Sequence, residues 1–168
     1  KFNLKEMSKT LLFLQEQKIS SADELRERAA AATERYHAMG DSIKAAEAKL
    51  TEIAVLKTHI INYAKTRDTY VAYRKAGYSN KFREEHEEEI LLHQAAKNAF
   101  DDMGVKKLPK VKELQAEYAR LLEEKKKTYT EYRRSREEMR ELLAAKANVD
   151  RLMGMEEEKR EEKNKGHN

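Results

Sequence analysis

Apolar residues in this chain recur at intervals of three and four over stretches far longer than an ordinary globular helix. One stripe runs Leu25, Ala29, Ala32, Tyr36, Met39, Ile43, Ala46, Leu50, Ile53. It passes Gly40 without losing phase, so Gly40 is expected inside a continuous helix at a cost of about 1 kcal/mol. After Ile53 the stripe steps to Leu56, Ile60, Tyr63, Arg67 and Tyr70, a three-residue stammer that overwinds a supercoil locally. The helix opens at the capping box Ser21-Ala22-Asp23-Glu24, where the Ser21 hydroxyl takes an N3 amide and Glu24 reaches back to the cap amide. It closes at Gly77, a natural C′ residue. A second long stripe follows Pro109, which suits the opening of a helix. One core position there reads Val111, Tyr118, Lys125, Tyr132, Met139, Lys146, Met153, and the other Leu114, Leu121, Thr128, Ser135, Leu142, Val149. The polar entries Lys125, Thr128, Ser135 and Lys146 weaken the seam and help fix its register.

Two shorter helices complete the pattern. Asn3 can cap the first, with Leu4, Met7, Leu11, Leu12 and Leu14 on its apolar face and an end near Gln17. Ser79 or Asn80 caps the other, which is expected to run to Met103 and stop at Gly104. Its apolar face is Phe82, Ile90, Leu91, Ala95, Ala99 and Phe100, and a short basic loop over 105–108 follows it. The expected fold is all-α: an elongated antiparallel coiled-coil hairpin of two long helices, a shorter helical insert at its tip and a short N-terminal helix. In that hairpin 57–76 faces 110–130. The alternative is a three-helix up-down-up bundle. Residues 1–154 form the helical module, and 155–168 form a charged, stripe-free tail expected to fray.

Composition narrows the chemistry. Charged and apolar residues each make up 39% of the 168, so the chain has too little apolar mass for a thick core. The absence of cysteine excludes disulfides and thiolate metal sites and is compatible with a reducing cytoplasm. No apolar run approaches the roughly 20 residues of a membrane span. The chain begins without Met and inside an amphipathic pattern, as a piece cut from a longer protein would. His37, His59, His86, His93 and His167 form no local ligand pair. His86 and His93 lie two turns apart with Glu89 between them, but a metal there needs a third ligand, and hydrogen bonding on a helix face is the plainer role. The run Glu84, Glu85, Glu87, Glu88, Glu89 cannot converge on one ion from a helix, so it reads as a solvated face or a docking face for Lys and Arg. No phosphate-binding glycine loop or catalytic set is present, and no cofactor, metal ligand or catalytic residue is assigned.

Charge is segregated. Residues 57–82 carry a net +5, residues 83–105 a net −5 and residues 106–136 a net +6. The candidate nucleic-acid contacts are Lys65, Arg67, Arg74, Lys75, Lys81, Lys106, Lys107, Lys110, Lys125, Lys126, Lys127, Arg133, Arg134 and Arg136. Tyr63, Tyr70, Tyr73, Tyr78, Tyr118, Tyr129 and Tyr132 interleave with them. Exposed aromatic rings stack on unpaired bases. At helical spacing the plainer role is to fill the seam, with hydroxyls at its rim.

Tyr70-x-x-Tyr73, Phe82-x-x-x-His86-x-x-x-Ile90, Ala95, Phe100, Leu108-Pro109, Leu114, and Tyr129-x-x-Tyr132-Arg133 through to Asn148-Val149 together give the chain a pattern that resembles bacterial conjugative relaxases, in the region behind their nuclease domain. The resemblance covers nearly the whole chain and rests on spaced helical residues. It implies a parent protein that nicks one DNA strand with a tyrosine nucleophile beside a histidine-held metal, both in a separate upstream domain. No histidine–hydrophobic–histidine motif occurs here, so none of these tyrosines inherits the nucleophile's role. The resemblance implies a non-catalytic arm that assists DNA mobilisation, with DNA, the upstream nuclease domain, a type IV secretion coupling protein or a second copy as partners. The alternative within the same machinery is a protein-interaction or oligomerisation module.

Overall fold

Side-chain caps and left-handed closures set the helix boundaries. In the computed structural model, which describes residues 3–166, the elements are α1 (Leu4–Glu16), α2 (Ala22–Lys75), α3 (Asn80–Glu85), α4 (Glu87–Asp102) and α5 (Val111–Lys165). Asn3 Oδ1 accepts the Lys5 amide at 3.0 Å and starts α1. Ser21 Oγ accepts the Glu24 amide at 3.1 Å and starts α2. The Glu24 carboxylate reaches one residue further back than a capping box would place it, accepting from the Ser20 amide and hydroxyl at 3.0 Å each. Those two bonds, with Arg28 nearby, hold its pKa below the ordinary carboxylate value. Ser79 caps α3. The far ends of α1, α2 and α4 close with paired backward hydrogen bonds of the Schellman type, on Lys18, Gly77 and Gly104, all at positive φ.

The structure is all-α, and among the described residues no strand occurs. The chain divides into two compact units, Lys1–Ile43 with Lys127–Asn168, and Lys44–Lys126. Within each, a stretch of α2 runs antiparallel to a stretch of α5, as a hairpin requires.

In the first unit Arg26 pairs with Asp150, Arg35 with Glu138, and the hydroxyls of Tyr36 and Tyr132 meet at 2.8 Å. The core is Ile19, Leu25, Ala29, Ala32, Leu142 and Ala145, with Phe13, Leu14, Met139 and Val149 against it. The alanines let helix axes approach closely. Helix α1 lies against α5, where Asn148 Nδ2 donates to Thr10 Oγ1 at 2.9 Å. The buried face of α1 is therefore Met7 and Thr10, with Phe13 and Leu14 partly covered. The expected face is corrected accordingly: Leu4, Leu11 and Leu12 are exposed. Thr10 can sit inside because its hydroxyl also donates to the Glu6 carbonyl at 3.0 Å.

In the second unit Ile53, Ile60, Ala96, Phe100 and Leu114 form the core. Lys125 reaches Glu47 at 3.2 Å across the two long helices. The expected facing of 57–76 with 110–130 holds only at its start. Leu114 shares a core with Ile53 and Ile60, but Tyr63 and Tyr70 stack on His93 of α4, and Tyr73 stacks on Phe82 of α3. The insert, not α5, covers the last turns of α2. Thr66 is buried at the place in the stripe expected for Arg67, which is exposed.

Three further boundaries differ from the expectation. His86 leaves helical geometry (φ −128°, ψ 27°) and splits the expected single helix into α3 and α4. Helix α5 begins at Val111, so Pro109 shapes the approach to the helix and does not form its first turn. The backbone also remains helical beyond Gly154 to Lys165, with every residue from Glu156 to Gly166 exposed. Glu, Lys and Arg favour helix without needing a buried stripe. The last two residues of the expected tail, including His167, lie outside the described residues.

Gly40 lies within α2, as its position in the stripe predicts, and a Cβ placed there meets Tyr132 Cε2 at 3.5 Å, an ordinary contact. Gly40→Ala should therefore raise unfolding stability by about 1 kcal/mol. Gly77→Ala, forced onto a residue at φ +68°, should lower it by roughly 1 kcal/mol. Urea melts followed by circular dichroism read both signs.

Candidate nucleic-acid interface

Desolvation separates the basic candidates into two classes. A Lys or Arg enters a helix seam only if a carboxylate meets it there. Lys125, at a seam position, is half-buried and paired with Glu47, and Lys126 pairs with Glu123 at 3.8 Å. Lys65, Arg67, Arg74, Lys75, Lys81, Lys106, Lys107 and Lys110 of the second unit are exposed. So are Lys127, Arg133, Arg134 and Arg136 of the first. None of these exposed residues enters an ion pair with another described residue. Lys125 is therefore a seam residue of the second unit, not a free surface cation.

The tyrosines divide as well. Tyr73 is buried, and Tyr36, Tyr63, Tyr70 and Tyr132 are half-buried seam or insert residues. Tyr78, Tyr118 and Tyr129 are exposed. Tyr78 meets the edge of Tyr73 at 5.2 Å, close in sequence to Arg74, Lys75 and Lys81. Tyr118, expected in the seam, instead lines an open groove of the second unit with Ile53, Ala54, Thr58 and Ile61. Tyr129 is 43% exposed, and the Arg133 guanidinium lies over its ring at 4.8 Å. Tyr132 stacks beside Tyr129 at 5.9 Å and against Tyr36 at 4.8 Å. The Tyr36 hydrogen bond raises the Tyr132 phenol pKa above its ordinary value, because it holds the neutral hydroxyl.

The acidic run does not clamp these cations. Glu84, Glu85, Glu87 and Glu88 are exposed and form no ion pair with a described residue, while Glu89 accepts a hydrogen bond from Thr69. Among the described residues no group of three or more His, Asp and Glu side chains converges as a metal site. No helix is long and apolar enough to cross a membrane, again among the described residues.

The two histidines that share a face in the sequence part company in the fold. His86 rests on Phe82 at the helix break. His93 is 3% exposed and lies against the rings of Tyr63 and Tyr70 at 4.7 and 4.3 Å. Thr66 Oγ1 donates to the Asn62 carbonyl at 2.7 Å. Its single hydrogen is thus committed, and its oxygen accepts from the His93 Nδ1–H at 3.1 Å. Neither this Thr66–His93 pair nor Ala96 stands out in the linear sequence. The spacing Ile90, His93, Ala96, Phe100 is the signal that places these four on one face; Leu91 and Ala95 of the expected face are exposed.

Burial, and next the charge of Lys97, push the His93 pKa below the ordinary imidazole value. The unfolded chain then takes up a proton at a higher pH than the folded one. Stability is full above about pH 6.5 and falls as the pH drops from there toward the folded pKa. Thermal melts across that window should show this slope, and His93→Gln should flatten it. Comparison of the chain with protein-family models, curated proteins and solved structures finds no match.

Proposed function

We propose that this chain is a non-catalytic helical arm of a conjugative relaxase that contacts DNA through its exposed basic residues. The observation that carries the reading is the uncompensated charge. Every basic candidate except Lys125 and Lys126 is exposed and free of ion pairs among the described residues. Cations left this way keep their counterion-releasing capacity for phosphates. The relaxase assignment rests on the spaced residues that resemble that family, from Tyr70 to Val149. The DNA partner, the upstream nuclease domain and a bacterial cytoplasmic location belong to the same proposal.

A second reading, docking of a partner such as a coupling protein or of a second copy, is favoured by one feature. Leu91 and Leu92 of α4 are exposed beside the unpaired acidic run, and Leu4, Leu11 and Leu12 of α1 are exposed as well. A mass by light scattering that rises with concentration, and returns to the monomer value after Leu91→Lys and Leu92→Lys, would favour this reading over the first.

For DNA contact the test is fluorescence anisotropy over a salt series. Lys106→Glu, Lys107→Glu and Lys110→Glu together should weaken binding and make the slope of log K against log salt shallower, by about one for each phosphate no longer neutralised. Charge reversals within 137–165 should leave it unchanged. Lys125 is excluded from the variant because its reversal would set two carboxylates together in the seam. Equal losses from both sets of changes, or no binding at low salt, would remove the proposal.

A further inference from the structure

We infer that Tyr129 and Arg133 of the first unit form a stacking platform for an unpaired nucleobase, so that this unit holds single-stranded nucleic acid in preference to duplex. The inference rests on the proposed DNA contact and names the form of the ligand.

Four observations meet at this place. Tyr129 is 43% exposed although it lies on a long amphipathic helix with seam positions to either side. A large part of the ring is thus open to solvent, and Tyr129 is not among the buried core residues. Its orientation is nonetheless set, because Tyr132 lies beside it at 5.9 Å with planes 23° apart, and Tyr132 is itself stacked on Tyr36 and hydrogen-bonded to it at 2.8 Å. The chain from Tyr36 through Tyr132 to Tyr129 fixes side-chain rotamers before any ligand arrives, which lowers the entropy lost on binding. Arg133 completes the platform: its guanidinium is over the Tyr129 ring at 4.8 Å and has no ion pair with a described carboxylate. A guanidinium stacked on an aromatic ring extends the flat surface and keeps its in-plane N–H donors for phosphate or base edges. Lys127 and Arg134, exposed on the same helix and likewise without an ion pair, supply further phosphate contacts.

A base offers its π-face only when unpaired or splayed from its neighbours, whereas a duplex presents phosphates and groove edges. A platform of one ring and one guanidinium therefore discriminates by strandedness, not by sequence. Tyr78, also exposed and flanked by cations, lacks this arrangement: it meets Tyr73 by its edge, and no guanidinium of a described residue lies over it.

The test compares labelled oligothymidylate with a mixed-sequence duplex of equal length, by anisotropy at fixed salt. Tyr129→Ala should weaken binding to the single strand about tenfold, leave duplex binding within twofold, and leave the far-ultraviolet circular dichroism unchanged, since the ring is not in the core. Tyr129→Phe should retain single-strand affinity. Lys127→Glu with Arg134→Glu should weaken both ligands together. If Tyr129→Ala leaves single-strand affinity unchanged while the Lys127/Arg134 variant lowers it, the platform is wrong and the DNA contact stands. Equal loss of both ligands in Tyr129→Ala also overturns the platform. No binding of either ligand to the parent chain at low salt overturns the DNA contact and this inference with it.

Discussion

The structure depends on how little a pair of long helices can hide. Each of α2 and α5 has one narrow stripe to bury, and a seam between two helices leaves most of each circumference in water. Stability must then come from close approach along the seam and from any third helix that widens it. Both devices are present. The first unit uses alanines at 29, 32 and 145 and adds α1. The second lays α4 over α2, so that Ala96 and Phe100 join Ile53, Ile60 and Leu114 in a three-helix core. The break at His86 separates Phe82, which stacks on Tyr73, from Ile90, His93 and Phe100 on the buried side of α4.

A seam this thin places polar residues under strict terms, since each must find a partner or remain wet. Ser135 and Thr66 are buried, and Thr66 donates its one hydrogen to its own helix while accepting from His93. Thr10 is satisfied by Glu6 and Asn148. Tyr36 and Tyr132 satisfy each other, and Lys125 is met by Glu47. Each of these pairs works in one register only. A slip of one residue would leave the buried Thr10, Thr66 and His93 without these partners. Polar seam residues therefore specify alignment where an all-apolar stripe would tolerate sliding.

Much of this was legible in the sequence because helical period and capping chemistry are local. Ser21, Gly77, Ser79 and Gly104 mark boundaries through interactions that span a few residues, and the structure places a helix end at each. The seam through Leu114, Leu121, Ser135 and Leu142 follows from period alone. What period cannot supply is which helix covers a stripe. Tyr63 and Tyr70 belong to a stripe under any topology, but only the three-dimensional arrangement gives them α4 in place of α5. That arrangement also exchanges Arg67 for Thr66 on the buried side, because a partner packed from another direction rotates the buried face. At the candidate interface, exposure of the cations followed from desolvation. The pairing of Lys125, the exposure of Tyr129 and the stacking of Arg133 depended on tertiary neighbours and could not be read from spacing.

The same reasoning bears on function. A long amphipathic helix needs charge on its outer face only for solubility, and mixed Glu and Lys in i, i+4 pairs achieve that at low net charge. Arg120 with Glu124, at i, i+4, and Arg140 with Glu137, at i, i+3, are pairs of opposite charge of this sort. Lys106, Lys107 and Lys110 around one short loop are not, and neither are Arg133, Arg134 and Arg136 in one helical turn, all without carboxylate partners among the described residues. Clusters of one sign repel one another and destabilise the folded chain slightly. Solubility does not call for such clusters. A polyanionic partner is the physical condition under which that repulsion becomes attraction, and a phosphate backbone meets it with one charge per nucleotide.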